Sequence, residues 1–439
     1  MFKMKQLLLL GLSLILSIPA GAQFWVERDS DFTVPSSGIS RFSIVDENVV
    51  WGIGYDGLNP NNNVQRFSKS EDGGETWDSG QFVLGEVGLG ISDISALSAT
   101  MCYVAAYPRD SDHQGGLWQT VDGGDSWTML TTTQFSNSNS FPNVVHFFND
   151  NEGIVIGDPI NNQWELYTTQ DGGATFTAIS PANIPAPQAG ETGYLAQKTF
   201  SGDSIWFTTS NGRLFHSTDK GMNWQVYDTP VSDFGGVDIN ADVSFGNPTR
   251  GILQTNDGTL YGTNDAGATW QLIVISGTGN PYGDNIAYVP GTNSIVSVGS
   301  DPDFSGSSYS RDNGVTWTNI NTRQYVDVAF FNETTGYSGG FTSDQLTGGV
   351  FDYTGSVLTV DDSAFAKAVS LYPNPTNDVL SIQTDAPLDR IVVRSLTGII
   401  LKEASGNTQR LSLQDVASGL YLVTLYSASD TYTQTIIKN

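Results

Sequence analysis

Apolar and polar positions alternate along most of the chain in short runs, and the runs return in one order. An apolar strand, a short polar turn and a second apolar strand ending in Gly or another small residue recur at 44–54 (IVDENVVWGIG), 94–106, 145–157 (VHFFNDNEGIVIG), 199–209, 243–256 and 286–298. Runs this short, bounded by turn residues and rich in β-branched side chains, predict strands and not helices. A loop and a third strand follow each pair, and the third strand enters a turn of nearly fixed composition. Six such turns occur: 70–77 (SEDGGETW), 120–127 (TVDGGDSW), 169–176 (TQDGGATF), 217–224 (STDKGMNW), 263–270 (TNDAGATW) and 310–317 (SRDNGVTW). Their aspartates, Asp72, Asp122, Asp171, Asp219, Asp265 and Asp312, are spaced 46 to 50 residues apart. With the strand after each turn the unit has four strands, and units of this length closing in a ring predict a β-propeller.

One copy reads as a tight strand-turn-strand corner. The hydroxyl residue and the aspartate bond locally to backbone, the shared glycine (Gly74 in the first copy) supplies positive φ, and the Trp or Phe three places later covers apolar surface where the next strand starts. The six turns resemble the Asp-box (BNR-type) repeat of bacterial sialidases, large glucan hydrolases, sortilin-like receptors and photosystem II assembly-factor propellers, over about residues 24–355. The resemblance implies that the boxes join the two outer strands of each blade, away from the ligand face, so their aspartates are structural.

Both ends of the repeat region favour seven blades over six or eight. After Trp317 the segment 326–340 (VDVAFFNETTGYSGG) repeats the two-strand pattern and 349–353 supplies a third strand, with no seventh box. Residues 24–28 (FWVER) look like the strand that normally follows a box. Three C-terminal strands and one N-terminal strand complete a seventh blade and leave no open edge in the ring.

Insertions gather between the second and third strands (55–64, 107–116, 158–162, 301–306 and 342–348) and between blades (131–143, 181–192 and 228–238). Because strands run alternately up and down, both classes emerge on the rim opposite the boxes. Variable loops on a rigid scaffold are where binding resides. That rim carries Asp56, Arg109, Asp110, Asp112, His113, Asp158, Glu191, Asp233, Asp238, Asp284, Asp301 and Asp303. Arg109, His113, Asp158, Glu191 and Asp301 are the candidate ligand-binding residues. Asp158 and Glu191 are chosen because the GDP and GE runs around them are similar to runs in the photosystem-type propellers. Tyr107, Phe135 and Tyr282 are the loop aromatics placed to stack on a sugar or a peptide. A glycosidase needs two carboxylates about 5 to 9 Å apart, and no spacing selects a pair. The three-arginine cluster and the Tyr-Glu nucleophile of sialidases have no counterpart.

Composition narrows the partners. With 46 acidic against 19 basic residues the chain has a formal charge of -27, which opposes nucleic acid and anionic membranes as ligands. Residues 1–22 carry Lys3 and Lys5, an apolar run and the small-residue site Ala20-Gly21-Ala22, a secretory leader and not a transmembrane span. Removing it takes the charge to -29, and no later run is long enough to span a bilayer. Cys102, the single cysteine, lies in an apolar run and reads as an inert core residue. His146 lies in an apolar strand, a core placement, and His216 abuts a box, where it is structural or merely exposed. His113, beside Asp110 and Asp112, is the histidine placed for function. No zinc motif or EF-hand spacing occurs, so no cofactor is expected. A structural calcium ion is compatible with so acidic a rim.

Beyond 355 the rhythm changes. Residues 356–368 read as a linker, with 362–364 (DSA) similar to an O-glycosylation sequon, and 369–439 holds seven short strands, at 369–372, 379–383, 390–394, 399–403, 409–413, 419–426 and 431–437, which predict a small β-sandwich. Residues 372–375 (YPNP), 396–398 (LTG), 411–416 and 418–423 (SGLYLV) resemble the type A sorting domain of the type IX secretion system, carried by Pro373, Asn374, Pro375, Gly398 and Gly419. Ser395 departs from the aspartate usual in that family. The resemblance implies export through the periplasm and across the outer membrane, then release or attachment at the cell surface. The expectation is therefore an all-β chain: leader 1–22, seven-bladed propeller 23–355, linker 356–368 and sorting domain 369–439. Its function is read as that of a secreted or surface non-enzymatic binding module for a glycan or a surface protein. The alternatives are a polysaccharide-degrading glycoside hydrolase and an extracytoplasmic assembly or stability factor.

Overall fold

The structure, a computed structural model, describes residues 23–59, 62–130, 134–355, 358, 369–384, 387–395, 400–405, 408–427 and 431–439. The leader, Gly398 with its neighbours 396 and 397, the 362–364 sequon and most of the 356–368 linker lie outside the described residues. Two compact units part between residues 356 and 357.

The first unit is built from seven four-stranded antiparallel sheets. Strand β1 (Trp25–Asp29) belongs to the last of them; β2 (Ser37–Ile44), β3 (Val50–Asp56), β4 (Arg66–Ser70) and β5 (Asp78–Gln81) form the first, paired in chain order. Five further sheets repeat that order within 89–129, 142–178, 193–228, 241–273 and 285–321. The seventh pairs Val328–Phe330, Gly336–Thr342 and Gly348–Tyr353 with β1 outermost, in register from Trp25 opposite Tyr353 to Asp29 opposite Gly349. The N-terminal strand thus closes the ring, and Arg28 Nε donates to Asp352 Oδ2 at 2.8 Å across the seam.

Successive inner strands touch all the way around, from β2 through Leu89–Ala96, Pro142–Phe147, Gly193–Ser201, Ala241–Phe245 and Asn285–Tyr288 to the seventh blade and back to β2. Inner strands of neighbouring blades splay apart and share no backbone ladder, so side chains bridge the gap. Ser43 Oγ accepts from Ala96 N (2.8 Å), Ser95 Oγ from Phe147 N (2.9 Å), Thr199 Oγ1 from Phe245 N (3.1 Å) and Ser244 Oγ from Tyr288 N (2.9 Å). Apolar clusters fill the wedges between blades, one of them combining Trp51, Phe67 and Phe82 with Ile94, Val104 and Trp118. Cys102 is fully buried in that cluster, as its apolar run predicts.

Each box joins the third and fourth strands of its blade. In the first, Gly74 N donates to Ser70 Oγ (2.8 Å), while Asp72 accepts from Thr76 N (2.9 Å) and Thr76 Oγ1 (2.6 Å). Gly73 N also donates to the Asn48 carbonyl (2.9 Å), tying the box to the turn between β2 and β3. The glycine is needed twice over. Its φ is +92°, and a Cβ there would sit 2.6 Å from Asp352 Oδ1 and 2.7 Å from the Tyr337 ring of the preceding blade. Trp77 is the last residue of the turn and packs on Phe42 and Tyr337, so the box also cements the blade interface.

The second unit has a three-stranded sheet (Val379–Gln383 between Ser370–Tyr372 and Arg410–Ser412) and a four-stranded one (Ile400–Ser405, Arg390–Ser395, Gly419–Tyr426, Thr431–Lys438). Leu380, Ile391, Val393, Leu411, Val423, Leu425 and Ile436 form its core. Asn374, between Pro373 and Pro375, ties its turn to the last strand: its Nδ2 donates to the Thr435 carbonyl (3.0 Å) and its Oδ1 accepts from Ile437 N (2.9 Å). Gly419 opens the strand Gly419–Tyr426.

Candidate functional site

Strand alternation places the β3–β4 loop and the blade-to-blade connections on the rim opposite the boxes. Of the five candidate residues there, the structure gives two to the scaffold and leaves three at the surface.

Glu191 is buried, not displayed. Arg213 Nε donates to its Oε1 at 2.9 Å and Nη2 pairs with Oε2, Thr209 Oγ1 donates at 2.6 Å, and Gln188 N at 2.7 Å. Burial pushes this carboxyl up, but the hydrogen bonds from Arg213 and Thr209 outweigh it and hold it below the usual range. The group is an ionised anchor for the loop entering blade four. Asp158 lies in the strand Gly153–Ile160 at a register shift, not in a loop as its Gly-Asp-Pro context suggests. Its Oδ1 accepts from Asn143 Nδ2 (2.7 Å) and from Gly193 N (2.8 Å), pinning the first residue of blade four to blade three. Burial raises its pKa. Both of these candidate ligand-binding acids are held in structural bonds.

Arg109, His113 and Asp301 stay on the surface. Asp301 caps its own turn, accepting from Asp303 N at 2.8 Å. Arg109 N donates to the Gly88 carbonyl at 3.0 Å, joining its loop to the connection between blades one and two. His113 strengthens that junction: Nδ1 contacts Asp110 Oδ1 and Nε2 lies 3.4 Å from Glu86 Oε2. The Asp110 hydrogen bond raises the His113 pKa. The loop aromatics are not free for stacking. Phe135 is fully buried against Tyr167, Tyr282 is buried beside Phe304, and Tyr107 packs on Phe141 at 4.7 Å. His146 is buried, as its apolar strand predicts, and His216, whose place beside a box left exposure open, is buried as well.

The same rim holds an open cleft of about 680 Å³ beside blade one, formed by the segment after β1, the β3–β4 loop and the connection after β5. Val34, Asn63, Arg66, Val83, Glu86 and Val87 line it with the buried Phe32 and Phe82. Its walls are braced by amides: Asn63 Nδ2 donates to the Val87 and Leu89 carbonyls (both 2.7 Å), and Gln65 Nε2 to Glu86 O (2.9 Å) and Leu89 O (2.7 Å). The sequence points to one wall, the 55–64 insertion with Asp56, but not to the other, because the connection after β5 is short. Its signal is the apolar stretch Phe82-Val83-Leu84 with Val87, lying in a connection instead of a strand.

A charged group at the inner strands is a second feature not foreseen. Asp93 accepts from Val145 N (2.9 Å) and pairs with Lys198, whose Nζ also donates to Val145 O (2.6 Å). Arg41 lies 3.5 Å from Asp327. Asp242 accepts from Val243 N (2.8 Å) and Ile286 N (3.3 Å), and burial pushes its pKa up to about 6. The Asp-x-Ser pairs at 93–95 and 242–244, at matching positions of two inner strands, were the available signal. Among the described residues no three His, Cys, Asp or Glu side chains gather as a metal site.

The chain is an Asp-box propeller joined to a C-terminal sorting domain of the type IX kind. Residues 370–439 match the family model described as secretion system C-terminal sorting domain, and 160–304 match that of the photosynthesis system II assembly factor YCF48. The sorting domain marks an exported protein of the cell surface or exterior, handled by the secretion machinery. No helix of the described residues is long and apolar enough to cross a membrane. The photosystem II assembly lipoprotein Ycf48 of Synechococcus sp. (strain CC9902) is 30% identical over 140 residues, 31% of this chain and 38% of that protein. The chain therefore spans well under half of that relative. Among solved structures, YCF48 bound to D1 peptide is 17% identical, covers 75% of this chain and 96% of its own, and has a TM-score of 0.51. YCF48 from Cyanidioschyzon merolae is 14% identical, covers 75% and 98%, and scores 0.54. At these identities the likeness is one of fold.

Proposed function

We propose that this protein is a binding module displayed outside the cell, which holds a protein partner on the propeller rim opposite the boxes and breaks no bonds. The observation that carries the reading is the contrast on that rim: the two candidate acids, Asp158 and Glu191, are held in structural bonds, while an open cleft stands beside blade one. Two relatives support a protein partner, one named as an assembly lipoprotein and one solved with a peptide bound. The test is incubation of the mature full chain with a panel of polysaccharides, with product detection, beside cross-linking of the chain on intact cells. The expected result is no cleavage and a discrete cross-linked protein. Cleavage that Asp158→Asn or Glu191→Gln abolishes, in variants with unchanged melting, overturns the reading in favour of a glycoside hydrolase.

A further inference from the structure

We infer that the cleft beside blade one is the docking site for an extended segment of the partner protein, one carrying aliphatic side chains and at least one Lys or Arg. This rests on the binding reading above and gives it a place and a chemistry.

Aliphatic side chains converge there without cover. Val34 is 44% exposed, Val83 59% and Val87 87%. Large apolar residues in contact with water and gathered at one cleft mark an interaction site, whereas single ones need no explanation. The volume, about 680 Å³, falls within the roughly 300–1,000 Å³ typical of ligand sites. It admits a short stretch of extended chain.

The walls are set before anything binds. Asp56 Oδ1 accepts from Leu58 N (2.9 Å) and Asn59 N (3.1 Å), the Asn63 and Gln65 amides tie the β3–β4 loop to the connection after β5, and His113 reaches Glu86 from blade two. Rigid walls lower the ordering cost of association.

The chemistry of the lining selects among occupants. A sugar stacks on an open aromatic face; of the three lining rings Phe32 and Phe82 are only 3% and 1% exposed, and the half-buried Tyr55 is engaged edge-on with Phe341 while its hydroxyl donates to the Gly340 carbonyl at 2.8 Å. Asp56 and Glu86 outnumber the one cation of the lining, Arg66, and the chain as a whole is strongly acidic. Like charge opposes a second copy of this chain and complementary charge favours a basic segment.

The experiment measures binding of fluorescent synthetic peptides to the mature full chain. One set alternates Val or Leu with Lys, a second replaces Lys by Glu, a third replaces the aliphatic positions by Ser, and an oligosaccharide panel runs in parallel. The protein variants are the double substitution Val83→Asp/Val87→Asp and, on the box rim, Val121→Asp, which is 62% exposed in the native chain. All three sites are open, and unchanged melting curves verify folding. The expected result is that the Lys set binds about 10-fold tighter than either other set, as roughly 1.4 kcal/mol of complementarity gives. The double variant loses at least that factor, and Val121→Asp loses nothing. Peptide binding that the double variant leaves intact overturns the cleft while leaving the binding module standing. Equal binding of the three sets, no binding of any peptide, oligosaccharide binding that the double variant abolishes, or a dimer that it dissolves each overturns the proposal. Bond cleavage in the polysaccharide assay, or the lack of any cross-linked protein on intact cells, bears against the module itself.

Discussion

The two rims of the propeller are made from the same four-stranded units and differ in what their turns accomplish. On the box rim six turns share one bonding scheme, and each presses a glycine and an aromatic residue against the preceding blade. On the other rim each connection has its own length and its own bonds, and one set of connections leaves a cleft. Repetition shows where the ring is held together; individuality shows where a partner can be told from others. The difference is not absolute, because Glu191 and Asp158 on the individual rim are as structural as any box aspartate.

The sharpest break in that comparison is predicted at Glu191. Glu191→Ala strands the buried Arg213 guanidinium without its partner, and removing one half of a buried pair costs about 3–5 kcal/mol. Denaturant unfolding should show that loss, and an Arg213→Met/Glu191→Met double variant should recover part of it. A residue acting only in ligand contact would leave the midpoint unmoved.

A matched pair of glycines tests the rims directly. Gly74→Ala on the box rim meets both a positive φ and the Asp352 and Tyr337 side chains, so a loss of about 3 kcal/mol is expected. Gly85→Ala, beside the cleft, also has positive φ (+85°) but meets nothing within 4 Å, and should cost only about 1–2 kcal/mol. Equal losses in thermal or denaturant melts would dissolve the distinction drawn between the rims.

Within a box, Asp72→Ala removes the acceptor of two bonds from Thr76 and should destabilise by about 1–2 kcal/mol. Asp301→Ala, which removes one turn bond on the opposite rim, is expected to shift stability by no more than about 0.5 kcal/mol.

The pH dependence carries both signs. Box aspartates are held below the usual carboxylate range by hydrogen bonds, Asp122 at about 2 through Ser126. Their stabilisation is present above the unfolded pKa of about 3.9 and is lost as pH falls toward 2. Asp242 and Asp352 are raised by burial, to about 6 and about 7. The folded state then binds the extra protons, so their contribution is largest below about 3.9 and declines as pH rises through 6 and 7. Melting temperature should therefore peak in mild acid, near pH 4 to 5. Asp242→Asn should flatten the alkaline limb with a gain of about 1 kcal/mol at pH 8. A melting temperature that climbs steadily to pH 8 would contradict the placement of Asp242 and Asp352.

Much of this was legible along the chain. The boxes, their rim and the closing strand at 25–29 follow from local signals, since turn chemistry and strand alternation depend on residues a few places apart. All seven strands of the sorting domain were legible for the same reason. The candidate site was far less so. Gly157-Asp158-Pro159 looks like a turn because Gly and Pro mark turns, yet the strand continues through it with a register shift. Glu191 does lie in a loop, as its Gly and Thr neighbours indicate, but its carboxylate turns inward to Arg213. Phe135 and Tyr282 look free because they fall in long loops, yet Phe135 folds back into the apolar cluster between two blades and Tyr282 packs beside Phe304.

The amino-acid sequence by itself determined the number of blades, the order of strands within each, the rim on which the boxes stand and the sorting domain that follows. Each of these is written in a short-range pattern repeated often enough to be read without knowing what packs on what. Only the tertiary structure decided that Glu191 meets Arg213, that Arg28 meets Asp352 across a separation of 324 residues, and that three connections around blade one leave a cleft. Those outcomes depend on how far the blades splay and which side chains fill the wedges, and burial and pairing of that kind are properties of the packed ring, not of any stretch of chain.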